Sequence, residues 1–134
     1  MTVDEVVRQL GVALKLPDLH LSEEGVCRLR IDNSITVNIE KGEDDATINL
    51  YSVIGKIPNG SKERLYALLL ESNLLGREID SGAFAIDTVL EEILFVLRIE
   101  IQNLGFEGLF QRLEAFVNTS EDWIRRLEQF QPVV

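Results

Sequence analysis

The segment KERLYALLLESNLLG, residues 62–76, carries two apolar faces where a helix packed within its own domain needs one. With Leu65 at zero and a step of about 100° per residue, Leu65, Leu68, Leu69 and Leu75 share one sector. Tyr66, Ala67, Leu70 and Leu74 share a second. Narrow polar strips part them, Lys62 with Asn73 on one side and Arg64 with Glu71 on the other. Ser61 stands at the N-cap and Gly76 just beyond the last turn. The first sector serves this chain's own core, so the second requires another surface.

The flanking segments define what that helix packs on. TVDEVVRQLGVALKLP opens with a capping-box pattern, Thr2 followed three residues later by Glu5, and Val3, Val6, Val7, Leu10, Ala13 and Leu14 recur at helical spacing until Pro17 ends the run. Val12 and Leu16 fall on the opposite side of that helix. Three strands follow. Residues 26–32 alternate Cys27, Leu29 and Ile31 against Val26, Arg28 and Arg30. Residues 35–40 set Ile35, Val37 and Ile39 against Thr36, Asn38 and Glu40, and residues 46–54 place Ile48, Leu50 and Ile54 inward. Asp32, Asn33 and Ser34 form one turn and residues 41–45 the next.

After the 62–76 helix, strands at 82–87 and 92–100 are joined by a short link, residues 88–91. The last strand is apolar on both faces, with Ile93, Phe95, Leu97 and Ile99 opposite Leu94 and Val96, as in a strand covered on both sides. The chain closes on a helical stripe of Phe106, Leu109, Phe110, Leu113, Phe116 and Val117, continued by Ile124 and Leu127; Thr119 and Ser120 either start a new helix or sit inside one long bent helix, and the long helix is expected. The terminal QPVV is expected to fray. The order α-β-β-β-α-β-β-α gives an α+β fold, an antiparallel five-stranded sheet covered by helices, in a single domain over residues 1–134.

Composition excludes several functions. With 13 basic against 23 acidic residues and a net charge of −10, the chain is unsuited to nucleic acid or to an anionic membrane. No apolar run approaches the roughly 20 residues of a membrane-spanning helix. One cysteine permits no internal disulfide, and no signal-peptide pattern opens the sequence, so a cytoplasmic setting is expected. The single histidine, His20, lies in a loop without an identifiable catalytic partner. Cys27 sits on an apolar strand face and reads as a small buried hydrophobe. Glu43, Asp44 and Asp45 lack the ligand spacing of a calcium loop, and residues 76–82 lack the lysine and spacing of a phosphate loop. No enzyme, metal or cofactor is indicated.

The segments LKLPDLHLSEEGVCRLRID, INLYSVIGKIP, LYALLLESNLLG, GAFAID and LFQRLEAFVNTSEDWIRRL, taken in this order, resemble the class I type III secretion chaperones, the Tir-chaperone-like family. The resemblance spans almost the whole chain. It implies a homodimer in a bacterial cytoplasm that holds, without ATP, the non-globular N-terminal segment of a secreted effector. The segment is kept soluble and secretion-competent and is presented to the export apparatus. A regulatory form, in which the dimer sequesters a regulator, falls within the same resemblance. The competing reading is a structural or interaction module unconnected with export.

In that family the second helix and the last strands build the dimer interface. By resemblance this role falls to Tyr66, Leu70 and Leu74, with Leu94 and Val96 as their mates. The client lies in apolar patches and can add a strand to a sheet edge. The candidate positions for this role are Val12 and Leu16 of the first helix, Leu19 and Leu21 beyond it, and a candidate edge strand with Val26, Arg28 and Arg30. Two alternatives stand beside these assignments. The loop 17–24 folds over Val12 and Leu16, or Arg28 and Arg30 merely blunt an exposed edge.

Overall fold

The structure, a computed structural model, describes residues 2–32, 34–74 and 81–130. Leu75, Gly76 and most of the 76–82 connector, together with Asn33 and residues 131–134, lie outside the described residues. Three helices and five strands follow in the expected order: α1 (Val3–Ala13), β1 (Val26–Ile31), β2 (Ile35–Lys41), β3 (Thr47–Lys56), α2 (Lys62–Asn73), β4 (Ala83–Asp87), β5 (Glu92–Glu100) and α3 (Gly105–Glu128). All neighbouring strands are antiparallel, and the sheet order is β1-β2-β3-β5-β4. Strands β1 and β4 are therefore the two edges.

The alternation read from the sequence fixes the two faces of the sheet. Cys27, Ile39, Leu50 and Leu97 lie in one cross-strand row by register, and all are buried. That face meets α1 through Val3, Val6, Val7 and Leu10, and α3 through Leu109, Leu113, Phe116 and Val117. The opposite face carries the row Arg28, Asn38, Tyr51, Val96 and Ala83. A bulge between Val53 and Gly55 shifts the β3 register, and it leaves Gly55 close under Leu127 of α3.

Helix α1 begins on the expected capping box: Thr2 Oγ1 accepts from the Glu5 N–H at 3.2 Å and Glu5 Oε2 accepts from the Thr2 N–H at 3.3 Å. It ends earlier than Pro17 requires. The Leu16 N–H donates to the Gly11 carbonyl at 2.7 Å and the Lys15 N–H to the Val12 carbonyl at 3.2 Å, with Lys15 left-handed at φ 60°. These two bonds close the last turn as a Schellman motif and turn the chain back before the proline. A Cβ on Gly11 would stand 2.7 Å from the Leu16 carbonyl oxygen, so the reversal needs glycine there. Ala13, assigned to the buried stripe by spacing, is exposed.

Helix α3 is one continuous helix of 24 residues through Thr119 and Ser120. Its buried row is Leu109, Leu113, Phe116, Val117, Ser120 and Trp123, while Ile124 and Leu127 are only half-buried. Trp123 joins an aromatic group, 4.5 Å from the Phe84 ring; Phe84 lies 5.4 Å from Phe95, and Phe95 stacks on Phe116 at 5.1 Å. This group ties edge strand β4 to α3. At the head of β4, Gly82 has φ +97° and an added Cβ would meet the Val96 carbonyl at 2.6 Å, so only glycine admits the chain at that point.

Candidate functional site

Helix α2 divides as its wheel demands. Leu65 and Leu69 are buried and Leu68 half-buried against the core, whereas Leu70 is 69% exposed and Leu74 49%. Ser61 takes the N-cap position in a left-handed conformation without a side-chain capping bond. Between α2 and β4 lies an apolar cleft of about 290 Å³, lined by Tyr66, Leu69, Leu70, Asn73, Phe84, Ala85 and Ile86. The helix is pinned there by one side chain. Asn73 Oδ1 accepts from the Phe84 N–H at 2.8 Å, and Asn73 Nδ2 donates to the Phe84 carbonyl at 3.4 Å. Asn73 thereby stands in for a further strand at the β4 edge.

Leu94 and Val96 lie on the helix-free face of β5, half-buried, and their register neighbours extend an apolar patch. Leu94 pairs with Val53 on one side and Ala85 on the other; Val96 pairs with Tyr51 and Ala83. Ala85 also lines the Leu70 cleft, so the two groups of proposed interface residues meet across the narrow, small-residue strand β4. Val53, 41% exposed, belongs to this patch; spacing alone had not singled it out.

The second set of residues is less uniform. Val12 is 74% exposed and Leu16 40%, and the following loop leaves both partly open. Leu19 and Leu21 instead pack half-buried against the chain's own core, with the Leu19 N–H bonded to the Leu16 carbonyl at 3.0 Å. Val26, Arg28 and Arg30 project on the helix-free face of edge strand β1, with Val26 half-buried and both arginines exposed. Arg28 Nε donates to Asn38 Oδ1 on β2 at 3.2 Å. Sequence reading passed over Val89 and Leu90, at 88% and 60% exposure, in the β4–β5 link. Asp87 Oδ1 accepts from both of their N–H groups, at 2.9 and 3.0 Å, holding the link as a tight turn. An apolar pair inside a turn was the available signal.

No chemistry of the catalytic kind is assembled among the described residues. No group of His, Cys, Asp and Glu there is arranged to hold a metal ion. Asp44 serves its turn: its carboxylate accepts from the Thr47 hydroxyl at 3.0 Å and the Ala46 N–H at 3.3 Å, which holds it below the usual carboxylate range. His20 Nδ1 lies 2.7 Å from the Asp18 carbonyl in an exposed loop. Burial pushes the Cys27 thiol up, away from the thiolate that reacts. Ellman's reagent at pH 8 is expected to label native protein only slowly and unfolded protein at once. Immediate labelling of the native form would contradict the buried assignment. None of the described helices is long and apolar enough to cross a membrane.

An α+β chain with an apolar, exposed helix flank beside an edge strand offers the kind of surface on which another protein docks. The family model of the Tir chaperone protein (CesT) family matches residues 5–124, and the chain belongs to that family. A Chlamydia pneumoniae protein is 25% identical over 109 residues, covering 81% of this chain and 82% of its own length. Among solved structures, a chain of the ExsC–ExsE complex superposes with a TM-score of 0.79 at 21% identity, covering 92% of this chain and 91% of that one. The Yersinia pestis type III secretion chaperone SycH, in complex with a fragment of YscM2, gives 0.68 at 18% identity, with 90% and 98% covered. The same fold extends to YbjN of E. coli, described with a suggested role in transcription regulation, at 0.67 and 12% identity over 100% of this chain and 99% of that one.

Proposed function

We propose that this protein is a cytoplasmic, non-enzymatic type III secretion chaperone. It acts as a homodimer that holds the non-globular N-terminal segment of a secreted effector, keeps it soluble and hands it to the export apparatus without ATP. The family match over residues 5–124 carries this reading. The exposed Leu70 and Leu74, with the cleft beside them, support α2 as the dimer face, and Leu94 and Val96 extend it around β4. Val12 and Leu16 are the client-facing apolar residues, and the edge of β1 offers backbone pairing. A net charge of −10 favours solubility while such surface is exposed.

The direct test is co-expression with the product of the neighbouring gene. The expected result is a stable complex of one client per chaperone dimer, formed through the client's N-terminal segment. A segment that neither binds nor gains solubility would refute the proposal. Replacing Val12 and Leu16 with Asp is expected to leave the dimer folded, since both are exposed, and to weaken capture by more than about tenfold, because burying such a side chain contributes about 1.5–3 kcal/mol. Undiminished capture removes them from the binding surface. The fold shared with YbjN favours a second reading, a regulatory or structural module outside export. A dimer that captures a regulator but no exported segment would decide for it.

A further inference from the structure

Val89 and Leu90, in the link between β4 and β5, are exposed and neither packs against the core; Val89 is the most exposed large apolar side chain among the described residues. The turn itself requires neither. Tight turns favour Asp, Asn, Ser and Gly, and the left-handed residue of this one is Glu91, at φ 56°. Its shape comes from the Asp87 carboxylate, which accepts from the N–H groups of Val89 and Leu90, and from the Ile57 N–H, which donates to the Glu91 carbonyl at 2.9 Å. At the base of the turn Lys56 of β3 pairs with Glu92 at 3.2 Å. Two apolar side chains are thus displayed on a framework that is already ordered, so a partner meets them without the cost of arranging a loop.

The surroundings restrict that partner. A strand cannot be added along the turn, because the N–H groups of Val89 and Leu90 are both taken up by Asp87. Contact is left to side chains. A helix docks in that way, since its own backbone is satisfied internally. The charge beside the pair is negative: Lys56 neutralises Glu92, whereas neither Asp87 nor Glu91 forms an ion pair among the described residues. An anionic lipid surface is therefore disfavoured, and an apolar stripe flanked by Lys or Arg is favoured.

We propose that the Val89–Leu90 turn docks a basic amphipathic helix of another protein, whose apolar stripe covers Val89 and Leu90 and whose Lys or Arg side chains face Asp87 and Glu91. The turn lies on a different element from Val12 and Leu16, and it follows Ile86, the last β4 residue of the Leu70 cleft. Occupancy by this helix is therefore compatible with a standing dimer and a held segment, and it concerns a partner other than that segment.

The test uses full-length protein and fluorescent helical peptides of about 18 residues, read by anisotropy. One carries a Leu stripe flanked by Lys, one the same stripe flanked by Glu, and one Ser in place of the stripe beside Lys. The Leu–Lys peptide is expected to bind at least about tenfold tighter than either control, and the Val89→Ser, Leu90→Ser double variant to bind it at least about tenfold more weakly than the unaltered chain. Both side chains are exposed, so circular dichroism of that variant is expected to be unchanged. Glu91→Gln is expected to weaken binding about two- to threefold at low salt and to have no effect at high salt. Val12→Ser with Leu16→Ser is expected to leave it unaltered. Equal binding of the Lys- and Glu-flanked peptides, undiminished affinity of the double variant, or no binding by any peptide overturns the inference. So does a homodimer that dissociates in the double variant, which would make the occupant a second copy, or loss of client capture in it, which would assign the turn to the client's surface.

Discussion

Replacing Leu70 and Leu74 together with Asp is expected to convert the proposed dimer into a folded monomer in sedimentation. Both side chains are exposed in the protomer, so the substitutions remove little from its own core. A two-fold interface would bury them twice. Four leucines at about 1.5 kcal/mol each amount to about 6 kcal/mol, or a dissociation constant raised by about four powers of ten. The monomer's circular dichroism and melting are expected to stay near those of the unaltered chain. An unchanged dimer would move the interface elsewhere, to the Val53, Leu94 and Val96 patch alone or to the Val89–Leu90 turn. The substitutions also separate dimerisation from client capture, because Val12, Leu16 and the β1 edge lie on other elements.

The surplus on α2 was legible because helical periodicity is strict. Leu65 and Leu69 against Leu70 and Leu74 separate on a wheel and separate again in burial. Strands were equally plain, since alternation in residues 26–31 and 35–40 fixes both face and register. What the sequence did not reveal depends on groups brought together only by folding. The Schellman closure through Gly11 and Lys15 ends α1 at Ala13, and nothing in local spacing distinguishes it from a helix running on to Pro17. Closure of the β4 edge by Asn73 likewise depends on a partner brought near by folding, since Asn73 and Phe84 are separated by 11 positions. The candidate client-binding residues formed one set in the sequence, but the fold divides it: Val12 and Leu16 are exposed, while Leu19 and Leu21 pack half-buried against the core.

Trp123 was missed for a related reason, and it carries the largest expected loss of stability. A stripe counted through Phe116 and Val117 to Ile124 and Leu127 steps past it, yet Trp123 is 1% exposed and the stripe's own continuation is only half-buried. Its indole fills the space between α3 and β4 against Phe84, and the Arg126 guanidinium covers its ring at 4.0 Å. Trp123→Ala is expected to cost about 3–5 kcal/mol, the lost transfer energy plus the cavity left behind. That is a large share of the roughly 5–15 kcal/mol that holds a domain folded. In calorimetry Tm is expected to fall by roughly 10–20 °C. Trp123→Phe retains most of the ring volume and is expected to cost about 1–2 kcal/mol. The consequence reaches the proposed dimer face, because Phe84 is also the residue that Asn73 uses to pin α2 to β4. Once Phe84 loses its support, α2 loses its anchor, and the Trp123→Ala dimer is expected to dissociate at protein concentrations where the Phe variant remains associated. A Trp123→Ala protein that melts like the unaltered chain would show that the aromatic group does not clamp β4 to α3.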